Sequence, residues 1–147
     1  MQKIFGEKIE GIDYQLRKGV YAVIFSPQKN QVATVQLTRG SYFLPGGGLE
    51  DNESPEECLK REMLEETGYE LVVGPYIGNA QQLYYSSRTN IAMLSDGYFY
   101  LSEIGKKVQE PIEEDHLLKW IPVSEADQLL FHEHHIWAVK ESLKKQL

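Results

Sequence analysis

At 147 residues, with 41% apolar and 25% charged side chains, the chain has the size and composition of one folded domain spanning 1–147, not of a disordered tail. Fifteen Lys and Arg against 22 Asp and Glu leave a formal charge of −7, which argues against a duplex nucleic acid partner and makes a polyphosphate unwelcome unless cations intervene. Cys58 is the single cysteine, the N-terminal MQKIFGEKIEG lacks an apolar leader core, and no stretch approaches a membrane span, so the expected location is cytoplasmic and reducing, with no membrane partner.

In chain order, Val20 to Ser26 and Gln31 to Leu37 are rich in β-branched and aromatic residues around a polar PQKN, which predicts a hairpin. After a glycine-rich loop, Ser54-Pro55-Glu56-Glu57 combines an N-cap serine, proline at the first helical position and a glutamate three residues after the cap. Gly68 supplies the left-handed position that ends this helix. Leu71 to Val73, Tyr76 to Tyr85, Gly97 to Ser102 and Leu117 to Ile121 are further predicted strands. A short turn near Glu125 to Leu129 and a helix from His134 to Lys145 close the chain. This order predicts an α/β sandwich with helices on opposite sides of a mixed β-sheet.

The first helix raises the functional question. With Glu62 at zero and roughly 100° per residue, Glu66 lies at roughly +40° and Glu65 at roughly −60°, while Cys58, Leu59 and Met63 fall at roughly −40°, +60° and +100°. The acids therefore share the face that the apolar residues would dock. Carboxylates turned toward the protein body cost free energy unless they are paired or hold cations, and Arg61, a partner for Glu57 or Glu65, cannot neutralise the set alone. A hard divalent cation can, and Mg²⁺ suits a site that a phosphate chain completes. Pro45-Gly46-Gly47-Gly48 brings bare backbone near that face, where a carbonyl can meet a metal or an amide a phosphate. A solvated acidic face and a plain strand-to-helix turn are the competing readings.

The stretch resembles the box of the Nudix (MutT-like) hydrolases. Gly47, Glu53 and Arg61-Glu62-Met63-Leu64-Glu65-Glu66-Thr67-Gly68-Tyr69 match its spacing, with Tyr69 where the family usually has an aliphatic residue. Leu44-Pro45-Gly46-Gly47 and Trp120-Ile121-Pro122 extend the likeness. The resemblance implies a Nudix-type α/β/α sandwich. It also implies hydrolysis of a pyrophosphate bond in a nucleoside diphosphate linked to another group, with Mg²⁺ and sometimes Mn²⁺. By position it implies Glu62, Glu65, Glu66 and the Gly46 carbonyl as metal ligands, and Arg61 as the group orienting the glutamates. Glu53 either supports the loop or assists through a water. The general base is expected from the run Glu113-Glu114-Asp115, at Glu114 or Glu113. Many members pair as homodimers, which stands here as an option. The rival reading is a Nudix module that senses a nucleotide or binds a protein without catalysis.

Other residues carry weaker signals. In His132-Glu133-His134-His135 the zinc-protease spacing fails because Ile136 stands where the second histidine belongs, and His134 and His135 are expected at the surface or in a cap. Tyr76, Tyr84, Tyr85, Tyr98 and Tyr100 are expected in packing, with one free to stack on a base. Arg39, Arg88, Lys106 and Lys107 are loop cations open to phosphate contact or solvation. Cys58 reads as a small core residue without an activating partner.

Overall fold

The computed structural model describes residues 3–145. Two sheets and two long helices make up the fold. The larger sheet has the order β1 (Lys3–Phe5), β6 (Tyr69–Ser86), β7 (Ile91–Lys107), β2 (Gln15–Ile24) and β5 (Gly46–Gly48). It is mixed: β1 with β6 and β2 with β7 run parallel, whereas β6 with β7 and β2 with β5 run antiparallel. The smaller sheet is antiparallel, β4 (Tyr42–Phe43), β3 (Gln31–Leu37), β8 (His116–Pro122). The helices are α1 (Pro55–Thr67), the short α2 (Ala126–Leu129), entered through a 3-10 turn Val123–Glu125, and α3 (Glu133–Lys145).

Strand β2 is the spine, and its alternation explains the layers. Successive side chains point to opposite faces, so Val20, Ala22 and Ile24 pack with Cys58, Leu59 and Met63 of α1. Val23, with Tyr21 and Phe25 against it, joins Phe99, Ala138 and Val139 on the α3 side. Burial on both faces is the condition for a parallel pairing such as that of β2 with β7.

The predicted hairpin forms only at its tip. Phe25 and Val32 share one antiparallel bridge, and Ser26 N–H donates to Gln31 O at 3.0 Å, after which the strands enter different sheets. Local pairing is outweighed because β2 aligns with β7 over its whole length, from Gln15 opposite Met93 to Ile24 opposite Ser102. The two segments predicted around Gly74-Pro75 are one strand, β6, with register shifts between Val73 and Tyr76 and between Tyr76 and Gly78. An irregular register is where a strand tolerates proline.

The predicted caps of α1 are present. Ser54 Oγ accepts from Glu57 N–H, the Glu57 carboxylate accepts from Ser54 N–H, and Gly68 takes φ 80°. These caps set where α1 starts and stops, and so which of its residues face the glycine loop.

Candidate active site

Helix α1 presents its carboxylates to the glycine loop that precedes it. Gly46 N–H donates to Glu66 Oε1 at 3.1 Å, and Glu66 is buried. A Cβ on Gly47 would fall on Glu62 Oε2, so only a bare backbone lets the loop cross that carboxylate. A Cβ on Gly46 would strike Val20 O, and its φ of 141° lies in a region that glycine favours.

Arg61 fastens the acids together. It grips Glu53 with two bonds, Nε to Oε2 at 2.6 Å and Nη2 to Oε1 at 3.0 Å, while Nη1 donates to Glu62 Oε1 at 2.9 Å and to Glu65 Oε2 at 3.1 Å. Its Nη2 also donates to Gly48 O at 3.1 Å, tying helix to loop. Glu57 takes no part, because its carboxylate serves the cap. The guanidinium holds the Glu53 carboxyl down at about 2. Burial pushes Glu62 up to about 7, with Arg61 opposing and Glu65 and Glu113 adding to the rise. Burial also raises Glu66 well above the carboxylate range, with Glu62 the next cause.

The acidic run before β8 supplies further groups. Ile112 N–H and Glu113 N–H both donate to Glu65 O, at 2.9 and 3.1 Å, pinning the loop to the end of α1. Glu113 is thereby brought beside Glu62 and Glu65, each able to offer an oxygen within 4.8 Å of the others. Glu114, its neighbour in the expectation, is exposed and does not line the cleft. His116 carries no signal in the sequence. Its Nδ1 is 2.8 Å from Asp115 Oδ1 and 3.1 Å from Glu113 Oε2, and its Nε2 lies 3.9 Å from Glu66 Oε2.

These groups line one side of an open cleft of about 740 Å³. The donor set fits a hard divalent cation: clustered carboxylates, two with pKa values raised by burial, against a loop whose missing Cβ leaves Glu62 room.

Part of the cleft lining is aromatic. His132 packs against Tyr84, Phe131 and Phe43 at ring separations of 4.7, 4.9 and 5.5 Å. Among the tyrosines expected in strands, Tyr84 and Tyr85 line the cleft and Tyr76, Tyr98 and Tyr100 do not; Tyr21, which no motif marks, lines it too. Lys106 and Lys107 lie away from it, whereas Arg17, Arg39 and Arg88 border it.

The histidine run corrects the sequence expectation. His134 and His135 are fully buried, not superficial. His135 Nδ1 accepts from Leu44 N–H at 3.1 Å, and His134 Nε2 lies 3.2 Å from Ser95 Oγ. Burial holds His132 down at about 4, His134 at about 3 and His135 lower than the ordinary range, so all three are neutral near pH 7. The reason is topological: α3 begins beneath the sheet, where its His134 N–H donates to Gln82 Oε1 of β6. Cys58 is buried as expected, with its thiol pushed up to about 12 by burial.

Known proteins share this architecture. A NUDIX hydrolase from Nitrosomonas europaea superposes with a TM-score of 0.73 over 89% of this chain and 90% of its own, at 16% identity. The NUDIX domain of Shewanella oneidensis NrtR, solved with ADP ribose, gives 0.66 over 96% and 94%, at 21% identity. In sequence, a Bacillus subtilis (strain 168) protein provisionally named an 8-oxo-dGTP diphosphatase is 28% identical over 54% of this chain and 59% of its own length. A Yersinia pestis (strain Pestoides F) GDP-mannose pyrophosphatase is 31% identical over 40% of this chain and 34% of its own. The alignments thus span well under two thirds of these curated relatives. The model of the NUDIX domain matches residues 15–143, a span that contains every residue of the acidic cluster, and the chain therefore belongs to the Nudix family.

Proposed function

We propose that this chain, acting as a single domain over 1–147, is a Mg²⁺-dependent pyrophosphohydrolase that also accepts Mn²⁺. It cleaves a pyrophosphate bond in a nucleoside diphosphate linked to another group, by attack of water on phosphorus. One observation carries the reading: Glu62, largely withdrawn from water, clusters with Glu65 and Glu113, and Glu62, Glu113 and the buried Glu66 line one cleft of about 740 Å³. Buried carboxylates held together in this way are stabilised by a cation more than by any partner the chain offers them.

Glu62, Glu65, Glu66 and the Gly46 carbonyl are the assigned ligands. A bound divalent cation supplies charge neutralisation for the phosphates and a water acidified toward neutral pH. The remaining work belongs to the chain's own groups. Arg61 fixes the orientation of Glu62 and Glu65 while Glu53 fixes Arg61. Glu113 is assigned as the acceptor of the water's proton, in preference to Glu114, because it faces the cluster. His116 Nδ1 is hydrogen-bonded with Asp115 and lies 3.1 Å from Glu113 Oε2, beside the acceptor. The aromatic part of the lining, with a neutral His132, offers a flat and half-apolar surface for a base. The relatives' names support a nucleotide and leave the group beyond its phosphates open.

The test is phosphate-product analysis with Mg²⁺ across nucleoside triphosphates, oxidised nucleotides, nucleotide sugars and dinucleoside polyphosphates, with Glu66→Gln as control. Turnover that disappears in EDTA and in the variant is expected. Nucleotide binding without turnover of any compound at saturating Mg²⁺ would instead indicate a binding module.

A further inference from the structure

The chain has four arginines, Arg17, Arg39, Arg61 and Arg88. All four line the cleft, and none of the lysines does. Arg61 is engaged by Glu53, Glu62 and Glu65. The other three come from separate places: Arg17 from β2, Arg39 from the turn between β3 and β4, Arg88 from the turn between β6 and β7. Among the described residues, no side-chain ion pair or hydrogen bond engages any of these three. Arg17 reaches over the glycine loop, where a Cβ on Gly48 would come within 2.8 Å of its Nη2.

Solvated surface charge does not account for this sorting, since it would place lysines and arginines alike. What separates the two residues is the planar fork of donors that matches a phosphate in two bonds. Charge counting then says which phosphate. A sugar-capped nucleoside diphosphate carries about two negative charges, which one divalent cation offsets, whereas a nucleoside triphosphate carries about four. Three further guanidiniums around the cation site, of which Arg88 also feels Asp115, offer forked donors that a free terminal phosphate can use and a neutral sugar cannot.

Resting on the hydrolase reading, we infer that Arg17, Arg39 and Arg88 form a rim for a free terminal phosphate, so that the substrate is a nucleoside triphosphate and not a diphosphate capped by a neutral sugar. The experiment is calorimetric titration of the full chain in Mg²⁺ at low salt with methylene-bridged, hydrolysis-resistant analogues of GTP and GDP-glucose, which share base and ribose and differ at the far end. The GTP analogue should bind at least about tenfold tighter, and Arg17→Gln, Arg39→Gln and Arg88→Gln should each weaken it about five- to tenfold and the GDP-glucose analogue less than about twofold. Each Arg→Lys variant should recover only part of the loss, and circular dichroism should be unchanged throughout. Equal losses for both probes, or no loss for GTP, would overturn the rim. Hydrolysis of unmodified GTP and GDP-glucose with Mg²⁺ separates the two claims. Turnover of GDP-glucose alone would overturn the rim and keep the hydrolase, whereas arginine-dependent GTP binding without turnover of any compound of the wider panel would keep the rim and overturn the hydrolase.

Discussion

A side chain at position 47 would occupy the space of a Glu62 oxygen, so the glycine there belongs to the site as much as the glutamate does. Gly47→Ala should leave the fold in place and lower Mn²⁺ affinity by about tenfold, the usual effect of disturbing a ligand's support; calorimetric Mn²⁺ titration reads it, and wild-type affinity would refute the account of the loop. Glu66→Gln keeps an acceptor for Gly46 N–H and removes an assigned ligand. Turnover should fall by about a hundredfold or more, while the metal-free melting temperature near neutral pH holds or rises, because the neutral amide spares the fold the cost of burying a group that is ionised in the unfolded chain. Loss of both activity and fold would show that Glu66 is structural.

At the scale of the elements, α1 depends on its ends. Ser54→Ala removes one half of the reciprocal cap and should cost about 1 kcal/mol, seen as a lower midpoint in urea with an unchanged slope. Gly68→Ala should cost more than this, since position 68 is left-handed and an added Cβ would strike Gln109 O. Both ends are legible as local chemistry: Ser-Pro-Glu-Glu at one, Gly at the other. The hairpin expected from Val20 to Leu37 does not extend past its tip because nothing in those residues announces β7, whose residues pair with β2 from far along the chain, Val20 opposite Tyr98. The histidines depart from expectation for a related reason: His134 and His135 stand on a helix packed against β6, with Tyr21 of β2 and Phe99 of β7 against their rings.

Across the whole molecule, two sets of buried titratable groups set opposite pH limits. His132 and His134 sit below their ordinary 6.5, at about 4 and about 3, so below pH 6.5 the folded state binds fewer protons than the unfolded chain. The stability they contribute is present above 6.5 and lost as pH falls through about 4 and 3. Glu62 sits above its ordinary 4.5, at about 7, and Glu66 shares the direction. Their contribution is present below 4.5 and lost as pH rises through about 7. Metal-free protein should therefore melt at lower temperature at pH 8 than at pH 6, and Mg²⁺ should raise the melting temperature more at pH 8 than at pH 5.5, where Glu62 and Glu66 hold their protons. Thermal melts in EDTA and in Mg²⁺ across this range check both, and an equal Mg²⁺ effect at both pH values would count against Glu62 and Glu66 as ligands.

Short separations along the chain carry the features that the sequence by itself determined: the caps of α1, the common face of Glu62, Glu65 and Glu66, and the family spacing from Gly47 to Gly68. Helical geometry turns neighbours in sequence into neighbours in space over these distances. Tertiary structure alone decided the features that depend on contacts between distant segments. The loop of Ile112 and Glu113 hangs on the Glu65 carbonyl, which selects Glu113 over Glu114 as the group facing the cluster. Arg17, Arg39 and Arg88 meet only because β2, β3 and the tip of β6 and β7 end around one cleft. No local pattern marks such a meeting, because the packing that brings these ends together is set by both faces of the central strand.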